Sequence, residues 1–464
     1  MPENLIETAA AVRAGLRSAT EVIDAALERI ATIDPRLHAF CALDADSAHS
    51  QAKGIDARIA AGEDPGPLAG VPLGVKDLED AAGFRTVCGD PARADAPVAT
   101  SDSVSVARLR AAGAIIVGKT NTPAYGFHAE TDNLVFGPTG NPWAPGRTCG
   151  GSSGGSGAAV AAGMVPLCTG SDGGGSIRIP SAACGIAGFK PTHGVVPNGD
   201  AGAPTWGPLS TRGPMARTFA EIAVGLDAVK GVSSLDLLSF ELPGSFVDAA
   251  ARASLDGVRM IWSPTLGMAH PDADVLAACE AALHALAGAG GSVVDTVESV
   301  FDPPALYSWV AHAAPGSWRT ATENPMPWEG RFLPAAQLTA SFGERTTAEQ
   351  MLDGQAGAHR ALQQLAALFE RADVLVTPGM ATVPPKIGEP SPYGPGWAAD
   401  YTLPFNLVRA PAVVVPCGFV ERDGERLPIA LQIVAPRCAD LALMSVAAAA
   451  EAALGGVPEP PGVV

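Results

Sequence analysis

Two clusters of glycine and serine contain the residues whose types and spacing best suit chemistry in this chain. The first, from Gly150 to Gly157, reads GGSSGGSG, and the second, from Ser171 to Arg178, reads SDGGGSIR. Glycine lets a backbone approach a ligand closely, and serine hydroxyls act as nucleophiles when a base lies beside them. Four interpretations are compatible with the clusters: a flexible linker, a phosphate-binding loop, a nucleophile elbow, and a site built from both clusters and a distant lysine.

The first three interpretations each lack a feature that they require. A linker has no use for Asp172 or Arg178, and apolar periodic residues follow each cluster closely. A phosphate-binding loop needs a lysine in its motif, and none occurs between Lys119 and Lys190. GGSSG satisfies the G-x-S-x-G pattern, but an elbow follows a strand directly, and two prolines within residues 141–146 disfavour a central strand there.

The fourth interpretation rests on a resemblance to the amidase signature family. This family includes fatty acid amide hydrolase, bacterial aryl and peptide amidases, and the A subunit of the glutamyl-tRNA amidotransferase. The resemblance extends over nearly the whole chain. The segments that carry it are GVPLGVKD (70–77), GKTNTPAYG (118–126), GPTGNPW (137–143), GGSSGGSGAAVAAG (150–163), GSDGGGSIRIPSAACGIAGFKPTHG (170–194), FNLVRAPAVVVPCG (405–418) and LPIALQIVAP (427–436).

The resemblance implies a Ser-Ser-Lys triad on three positions of this sequence. Ser176 matches the nucleophile, Ser152 the bridging serine that follows a cis peptide bond, and Lys76 the base. The implied fold is a single α/β/α domain in which helices flank a large twisted mixed β-sheet. The family uses no metal and no organic cofactor, so we expect none here.

A lysine acts as a base only when it is neutral, so its pKa must fall from about 10.4 to near the working pH. The apolar neighbours of Lys76 fit the burial that this requires; the alternative is a surface lysine paired with Asp77 or Asp80. The Ser152 hydroxyl both donates and accepts, which suits a proton relay. Its alternative is a helix N-cap, a role that Ser153 and Ser156 suit better, although Ser153 is also expected to hydrogen-bond within the site.

Consecutive glycines before Ser176 allow backbone N–H groups to converge on one point, as an oxyanion hole requires. We therefore expect donors from Gly173, Gly174, Gly175 and Ser176. Relatives often carry Thr or Ile where Gly173 stands. Asp172 and Arg178 are expected to brace this loop as an ion pair, with direct contact to substrate as the alternative.

The substrate pocket is less well defined by the sequence. Tyr125, Gly126 and Phe127 align with a segment that borders the pocket in relatives, and Ser153 and Trp206 are further candidates. Aromatic residues concentrate in 301–342, either as helix-packing core or as walls for a bulky apolar or aryl group. Loop 383–397 is either a lid or an exposed connection.

The resulting functional prediction is an amidase that forms a seryl acyl-enzyme on a bulky apolar or aryl amide. Esters and carbamates are plausible further substrates because they form the same tetrahedral intermediate. The alternative is the glutamine-hydrolysing A subunit of a tRNA-dependent amidotransferase complex. Relatives in that role usually show Thr and Gln around the SIR motif, whereas Gly173 and Ile179 stand here.

Hydrophobic periodicity supplies the elements that must position these residues. We predict helices over 3–33 (two), 44–61, 158–163, 272–289, 345–371 and 439–454, and strands over 68–76, 114–118, 165–169, 259–262, 292–296, 374–377, 412–416 and 429–434. Alternating strands and helices indicate an α/β architecture. One amidase signature domain is expected over 1–464, with a helical segment at 1–65, the catalytic core motif at 66–200, and pocket and lid insertions at 300–400.

Composition restricts the possible partners. The net charge of −18 disfavours nucleic acid and anionic membranes, and 5% aromatic residues disfavour a base-stacking surface. Eight cysteines without a C-x-x-C pair indicate reduced thiols. The first ten residues lack the basic region of a secretory signal, so a cytoplasmic location is expected. The expected partner is a small-molecule amide, and a homodimer is possible.

Overall fold

The computed structural model describes residues 4–199, 206–302, 305–324, 326–389, 391, 397–457 and 459–460. The helices are α1 (Leu5–Arg13), α2 (Ala19–Leu37), α3 (Ala45–Ala60), α4 (Val104–Ala111), α5 (Gly154–Ala161), α6 (Arg178–Cys184), α7 (Phe219–Val229), α8 (Phe246–Ala251), α9 (Ala273–Gly288), α10 (Leu306–Thr322), α11 (Pro334–Glu344), α12 (Ala348–Phe369), α13 (Leu403–Leu407) and α14 (Asp440–Ala453). The strands are β1 (Phe40–Leu43), β2 (Pro72–Lys76), β3 (Ile115–Thr120), β4 (Gly140–Asn141), β5 (Ala144–Thr148), β6 (Leu167–Asp172), β7 (Gly188–Lys190), β8 (Thr211–Met215), β9 (Arg259–Trp262), β10 (Ser292–Thr296), β11 (Val374–Pro378), β12 (Ala412–Arg422) and β13 (Glu425–Val434).

The strands form two mixed sheets and a small hairpin, so the predicted α/β class is confirmed. The first sheet has the order β1-β3-β2-β6-β8, the second β10-β9-β11-β13-β12-β7, and β4 pairs with β5. The resemblance implies one large sheet, whereas the described strands form two sheets that adjoin. The sheets adjoin where the Ala187 N–H, before β7, donates to the Arg217 carbonyl, after β8, at 3.0 Å.

Alternating side chains bury both faces of the first sheet. Leu73 and Val75 pack on one face with residues of α4 and α7, whereas Ile115 and Val117 pack on the other face with residues of α2, α3 and α5. This two-sided burial is typical of parallel strands between helices and gives the α/β/α layering that the resemblance implies. No helix in the described part of the chain is long and apolar enough to cross a bilayer.

The site lies where the parallel strands β2 and β6 end. Lys76 is the last residue of β2, and β6 ends with Ser171 and Asp172. Helices α5 and α6 begin shortly after Ser153 and Ser176. Because the carboxyl ends of parallel strands share one edge of a sheet, segments distant in sequence meet at this edge.

Candidate active site

Lys76 lies at the centre of a cluster of serine hydroxyls. Its side chain is fully buried, and Nζ lies 2.8 Å from Ser152 Oγ, 2.8 Å from Ser153 Oγ and 3.0 Å from Ser171 Oγ. The main chain of Lys76 is fixed because its N–H donates to Thr169 Oγ1 at 2.9 Å. The predicted surface alternative for Lys76 is therefore wrong, since Nζ has hydroxyl partners and no carboxylate partner among the described residues.

Ser152 and Ser153 reach Lys76 from the turn that precedes α5. The Gly151–Ser152 peptide bond is cis, as the resemblance implies. Ser153 occupies the N-cap position of α5, but its hydroxyl makes no capping bond and instead contacts Lys76. Gly126 lies against this turn, and a Cβ there would approach Ser152 Oγ to 2.9 Å. Glycine at 126 therefore leaves room for the Ser152 hydroxyl.

Burial determines the protonation of Lys76. Loss of hydration lowers its pKa from the usual 10.5 to about 7, assisted by the positive charge of Arg212 and opposed by Glu79 and Asp172. At neutral pH a substantial fraction of the amine is therefore uncharged. A neutral amine has two N–H donors and one lone pair, so one of its three hydroxyl neighbours must donate to it.

The hydrogen bonds of Ser153 exclude its hydroxyl as the one that donates to Lys76. Ser153 Oγ lies 3.3 Å from the Ser171 carbonyl, to which it donates, and it accepts from the Ser171 N–H, also at 3.3 Å. Its proton is therefore committed, and Ser153 accepts from Lys76. Within the described residues, Ser152 Oγ and Ser171 Oγ each have Lys76 as their only hydrogen-bond partner. Either of these two hydroxyls is thus free to donate its proton to the neutral amine, and Ser152 is the nearer of the two.

The loop from Gly173 to Ser176 is fixed through its carbonyl groups. The Gly173 carbonyl accepts from Trp309 Nε1 at 2.9 Å, and the Gly174 carbonyl accepts from Thr402 Oγ1 at 2.6 Å. Because a peptide unit is planar, the fixed Gly173 carbonyl also fixes the N–H of Gly174 in the same unit. The N–H groups of Gly173, Gly174 and Ser176 have no partner among the described residues, so they are available to a ligand.

Gly175 does not contribute an available donor, which corrects one part of the predicted oxyanion hole. Its N–H donates to Asp172 Oδ1 at 2.8 Å. Its φ of 134° is a backbone conformation that favours glycine, and any Cβ at this position would clash with Thr402 Oγ1. Gly175 therefore turns the chain, whereas its two preceding glycines and Ser176 retain available N–H groups.

The predicted ion pair between Asp172 and Arg178 is confirmed, and both side chains are fully buried. Arg178 Nε donates to Asp172 Oδ2, and Nη2 to Oδ1, each at 2.9 Å. Burial alone raises the pKa of Asp172, but Arg178 and Asn406 overcome it and hold this pKa well below its usual range. Neither Asp172 nor Arg178 lines the cavity, so the pair braces the loop.

Replacing Arg178 with Met is expected to lower the free energy of unfolding by about 3–5 kcal/mol, because Asp172 is left charged and buried without its partner. Urea denaturation followed by circular dichroism measures this loss. Arg259→Met is the matched control, since Arg259 and Asp373 form an ion pair in which each side chain is 46% exposed, and we expect at most about 1 kcal/mol there. Equal losses in the two variants would contradict the bracing role. Adding Asp172→Asn to Arg178→Met is expected to recover part of the loss.

A cavity of about 430 Å³ adjoins these groups. Ser152, Ser171 and Ser176 line it together with Gly173 and Gly174. Apart from this polar end, its walls are mostly apolar. The apolar lining includes Leu78, Ile179, Val310, Leu338, Phe342 and Leu403.

The predicted substrate-binding residues separate into two groups. Gly126, Phe127 and Trp206 line the cavity, and the Phe127 and Trp206 rings lie 5.8 Å apart. Tyr125 does not line it: the ring stacks behind Phe127 at 5.6 Å, and its hydroxyl donates to Asp90 at 3.0 Å. Ser153 is also not on the cavity surface, because it is buried against Lys76.

Helices α10 and α11 supply much of the remaining wall, within the predicted insertion at 300–400. Trp309 and Phe342 face the cavity, whereas Phe301 and Phe332 are buried in core clusters, so both interpretations of the aromatic residues apply. The described residues of loop 383–397 do not line the cavity, and the Pro385 carbonyl accepts from the Thr148 N–H at 3.0 Å. Residues 390 and 392–396 of this predicted lid lie outside the described residues.

Trp309 and Thr402 hold the loop from Gly173 to Ser176, and neither contact was predicted from the sequence. Trp309 belongs to the aromatic concentration in 301–342, which flagged its segment but not its bond to Gly173. Thr402 lies just before the family-like segment that starts at Phe405, and nothing about its residue type indicates that it contacts a loop 228 positions away.

A buried lysine among serine hydroxyls, beside a cavity in a three-layer α/β fold, is the arrangement of a hydrolase. Comparison with known proteins gives a more specific assignment. The model of the family described as Amidase matches residues 21–444, and the chain belongs to this amidase signature family of amide hydrolases.

Individual relatives agree with this assignment. The chain is 35% identical to an acylamidase of Rhodococcus erythropolis, covering 96% of this chain and 94% of the relative. It is also 35% identical to the A subunit of the glutamyl-tRNA(Gln) amidotransferase of a Synechococcus strain, covering 94% of each chain. The crystal structure of a bacterial aryl acylamidase matches with a TM-score of 0.88 at 28% identity, covering 97% of this chain and 96% of that one.

Proposed function

We propose that this protein hydrolyses bulky apolar or aryl amides through an acyl-enzyme on Ser176, with Ser152 and Lys76 as its proton relay. The observation that carries the proposal is the buried Lys76 amine, within 2.8 Å of Ser152 Oγ, at the polar end of a cavity that Ser176 also lines. A base with a pKa of about 7 and a relay hydroxyl are what a serine nucleophile needs at neutral pH.

In the acylation step, Ser176 Oγ attacks the amide carbonyl carbon and a carbon–oxygen bond forms. The Ser176 proton passes to Ser152 Oγ as Ser152 gives its own proton to the neutral Lys76 amine. The carbonyl oxygen becomes an oxyanion, which the N–H groups of Gly173, Gly174 and Ser176 bind. The carbon–nitrogen bond then breaks, and the leaving amine takes the proton back from Lys76 through Ser152.

Deacylation repeats these proton transfers with water as the nucleophile. Lys76, again neutral, accepts a proton from water through Ser152 as the water oxygen bonds to the acyl carbon, and the ester bond to Ser176 then breaks to release the carboxylic acid. The relay then returns the proton to Ser176 Oγ. Esters and carbamates form the same tetrahedral intermediate, so we propose them as further substrates.

The cavity supports an apolar substrate over glutamine. The α-carboxylate of glutamine needs a cationic partner when it is bound away from water. None of the described residues that line the cavity is a lysine or an arginine. Phe127, Trp206 and Trp309 instead give this wall three aromatic rings, of which the two tryptophan rings lie 5.6 Å apart. We therefore favour an amidase that acts alone over a glutaminase subunit of a larger complex.

A substrate panel tests the proposal. Purified protein is assayed with acyl anilides, short aliphatic amides, glutamine, an aryl ester and an aryl carbamate. We expect the highest kcat/KM on the anilides and no ammonia from glutamine. Intact-mass spectrometry after incubation with the carbamate is expected to show one carbamoyl group, and digestion to place it on Ser176. Glutaminase activity without anilide hydrolysis, or an adduct elsewhere, would overturn the proposal.

A further inference from the structure

Asp400 is the one carboxylate among the described residues that line the cavity, whose walls are mostly apolar. Among the described lining residues only His128 and Asp400 have ionisable side chains outside the catalytic serines. Burial lowers the pKa of His128 to about 4, so its imidazole is neutral at pH 7. Burial raises the pKa of Asp400 to about 6, partly offset by His270, and this carboxylate is therefore mostly ionised at pH 7.

The Asp400 carboxylate differs from the buried carboxylates elsewhere in the fold. Asp90 and Asp172 are each held by an arginine at less than 3 Å, and Asp77 by Lys119 at 3.1 Å. Within the described part of the chain, Asp400 has neither a hydrogen bond nor an ion pair. His270, whose charge partly offsets the rise in the pKa of Asp400, is an exposed residue. A partly buried carboxylate without a partner is available to a ligand.

The position of Asp400 connects it to the reacting groups. It lies on the turn before α13, between the lining residues Ala399 and Leu403. Thr402, on the same turn, donates to the Gly174 carbonyl at 2.6 Å. The turn that holds the proposed oxyanion loop in place therefore also presents Asp400 to the cavity.

We propose that Asp400 determines substrate specificity by binding a protonated amine on the substrate. This inference rests on the proposed amidase function and narrows it to amides that combine an apolar or aryl body with an ammonium group. A carboxylate in an apolar wall is costly without a partner, and an ammonium group supplies charge-assisted hydrogen bonds to it. The same carboxylate repels an anionic substrate, because no described lining residue provides a compensating lysine or arginine.

Matched substrates that differ only in one terminal group test the proposal. In the acyl series, the p-nitroanilide of 4-(aminomethyl)benzoic acid is compared with that of 4-ethylbenzoic acid. In the amine series, the benzamide of 4-(aminomethyl)aniline is compared with that of 4-ethylaniline. Each pair exchanges an ammonium group for a methyl group of similar size. We expect the wild type to prefer the ammonium member by about 10- to 100-fold in kcat/KM in one of the two series.

Variants assign this preference to Asp400. Asp400→Asn is expected to lose it while retaining kcat/KM on the ethyl substrates within about threefold, and Asp400→Glu is expected to keep it. Asp46→Asn, which removes one exposed charge from α3, is the matched control and should behave as the wild type. Activity on the ethyl substrates also establishes that each variant is folded.

The outcomes separate this inference from the proposed function. Equal kcat/KM on both members in both series, or a preference that persists in Asp400→Asn, overturns the role of Asp400 and leaves the amidase proposal intact. Hydrolysis of none of the four amides overturns the amidase proposal itself. Calorimetric titration of the Ser176→Ala variant with benzylamine and with benzyl alcohol then measures the contribution of Asp400 to binding, independently of turnover. The role of Asp400 is supported if benzylamine binds more tightly than benzyl alcohol and Asp400→Asn abolishes this difference. Equal binding of the two compounds overturns it.

Discussion

Replacing Ser176 with Ala is expected to lower kcat/KM for anilide hydrolysis by about 10⁴- to 10⁶-fold, because loss of the nucleophile of a serine hydrolase costs up to about 10⁶-fold in rate. In the proposed mechanism Ser176 is the attachment point of the acyl group, and the other serine hydroxyls beside it contact Lys76. Ser153 contacts Lys76 and the Ser171 main chain, and Ser171 contacts Lys76. The Ser176 hydroxyl, in contrast, has no hydrogen-bond partner within the described residues and lies on the cavity surface.

The Ser176→Ala measurement needs controls for folding and for a change of rate-limiting step. Circular dichroism and the unfolding midpoint are expected to match the wild type, since the substitution removes one oxygen atom from the cavity lining. Ser445→Ala, in which the lost hydroxyl donates to the Arg252 carbonyl at the surface, should retain full activity. The carbamate adduct must disappear from Ser176→Ala. A folded variant with activity within tenfold of the wild type would contradict the assignment of the nucleophile.

The sequence could predict the residues of the site that are adjacent in the chain or belong to one motif. Ser171 to Arg178 forms a single loop whose contacts are largely local: Asp172 accepts from the Gly175 N–H and pairs with Arg178 within six positions. Lys76 and Ser152 were reached through the resemblance, and the folded chain brings them into contact across 76 positions. The strands that carry Lys76 and Ser171 were visible because buried parallel strands leave continuous apolar runs.

The sequence could not predict the contacts that fix the loop from outside. Trp309 reaches the Gly173 carbonyl from α10, and this helix was not predicted because Pro315 and Gly316 interrupt its pattern. Glycine spacing also does not indicate which N–H groups of the loop from Gly173 to Ser176 are already hydrogen-bonded. The Gly175 N–H, for example, donates to Asp172 and is therefore not available to a ligand. The division of the sheet between β7 and β8 depends on which strands pair, and hydrophobic periodicity does not indicate strand pairing.

Burial has opposite consequences for the two titratable groups that the proposals use. It lowers the pKa of Lys76 to about 7, which supplies a neutral amine, and raises the pKa of Asp400 to about 6, which keeps a carboxylate charged only above that pH. Both groups thus reach their useful protonation state as pH rises through 6 to 7. The hydrolysis of an ammonium substrate should therefore fall more steeply on acidification than that of its ethyl analogue.

Replacing Lys76 with Met is expected to lower kcat/KM by about 10²- to 10⁴-fold and to remove the acidic limb of the pH profile. In the proposed mechanism the base is the neutral Lys76 amine, and the neutral fraction rises with pH through a pKa of about 7. The rate on a neutral anilide should therefore increase tenfold per pH unit well below pH 7 and level off above it. Methionine fills the apolar surroundings of the side chain without providing a base, so its residual rate should not follow this limb.

Lys190 provides the matched control for the Lys76 prediction. It is also fully buried, and burial together with Arg178 lowers its pKa to about 7, but its Nζ donates to the Pro191 carbonyl and contacts no serine among the described residues. A limb near pH 7 could therefore belong to either lysine. If Lys76 is the base, Lys190→Met retains the wild-type midpoint whatever its effect on stability, and only Lys76→Met loses the limb. Loss of the limb in Lys190→Met, with the limb intact in Lys76→Met, would reassign the base.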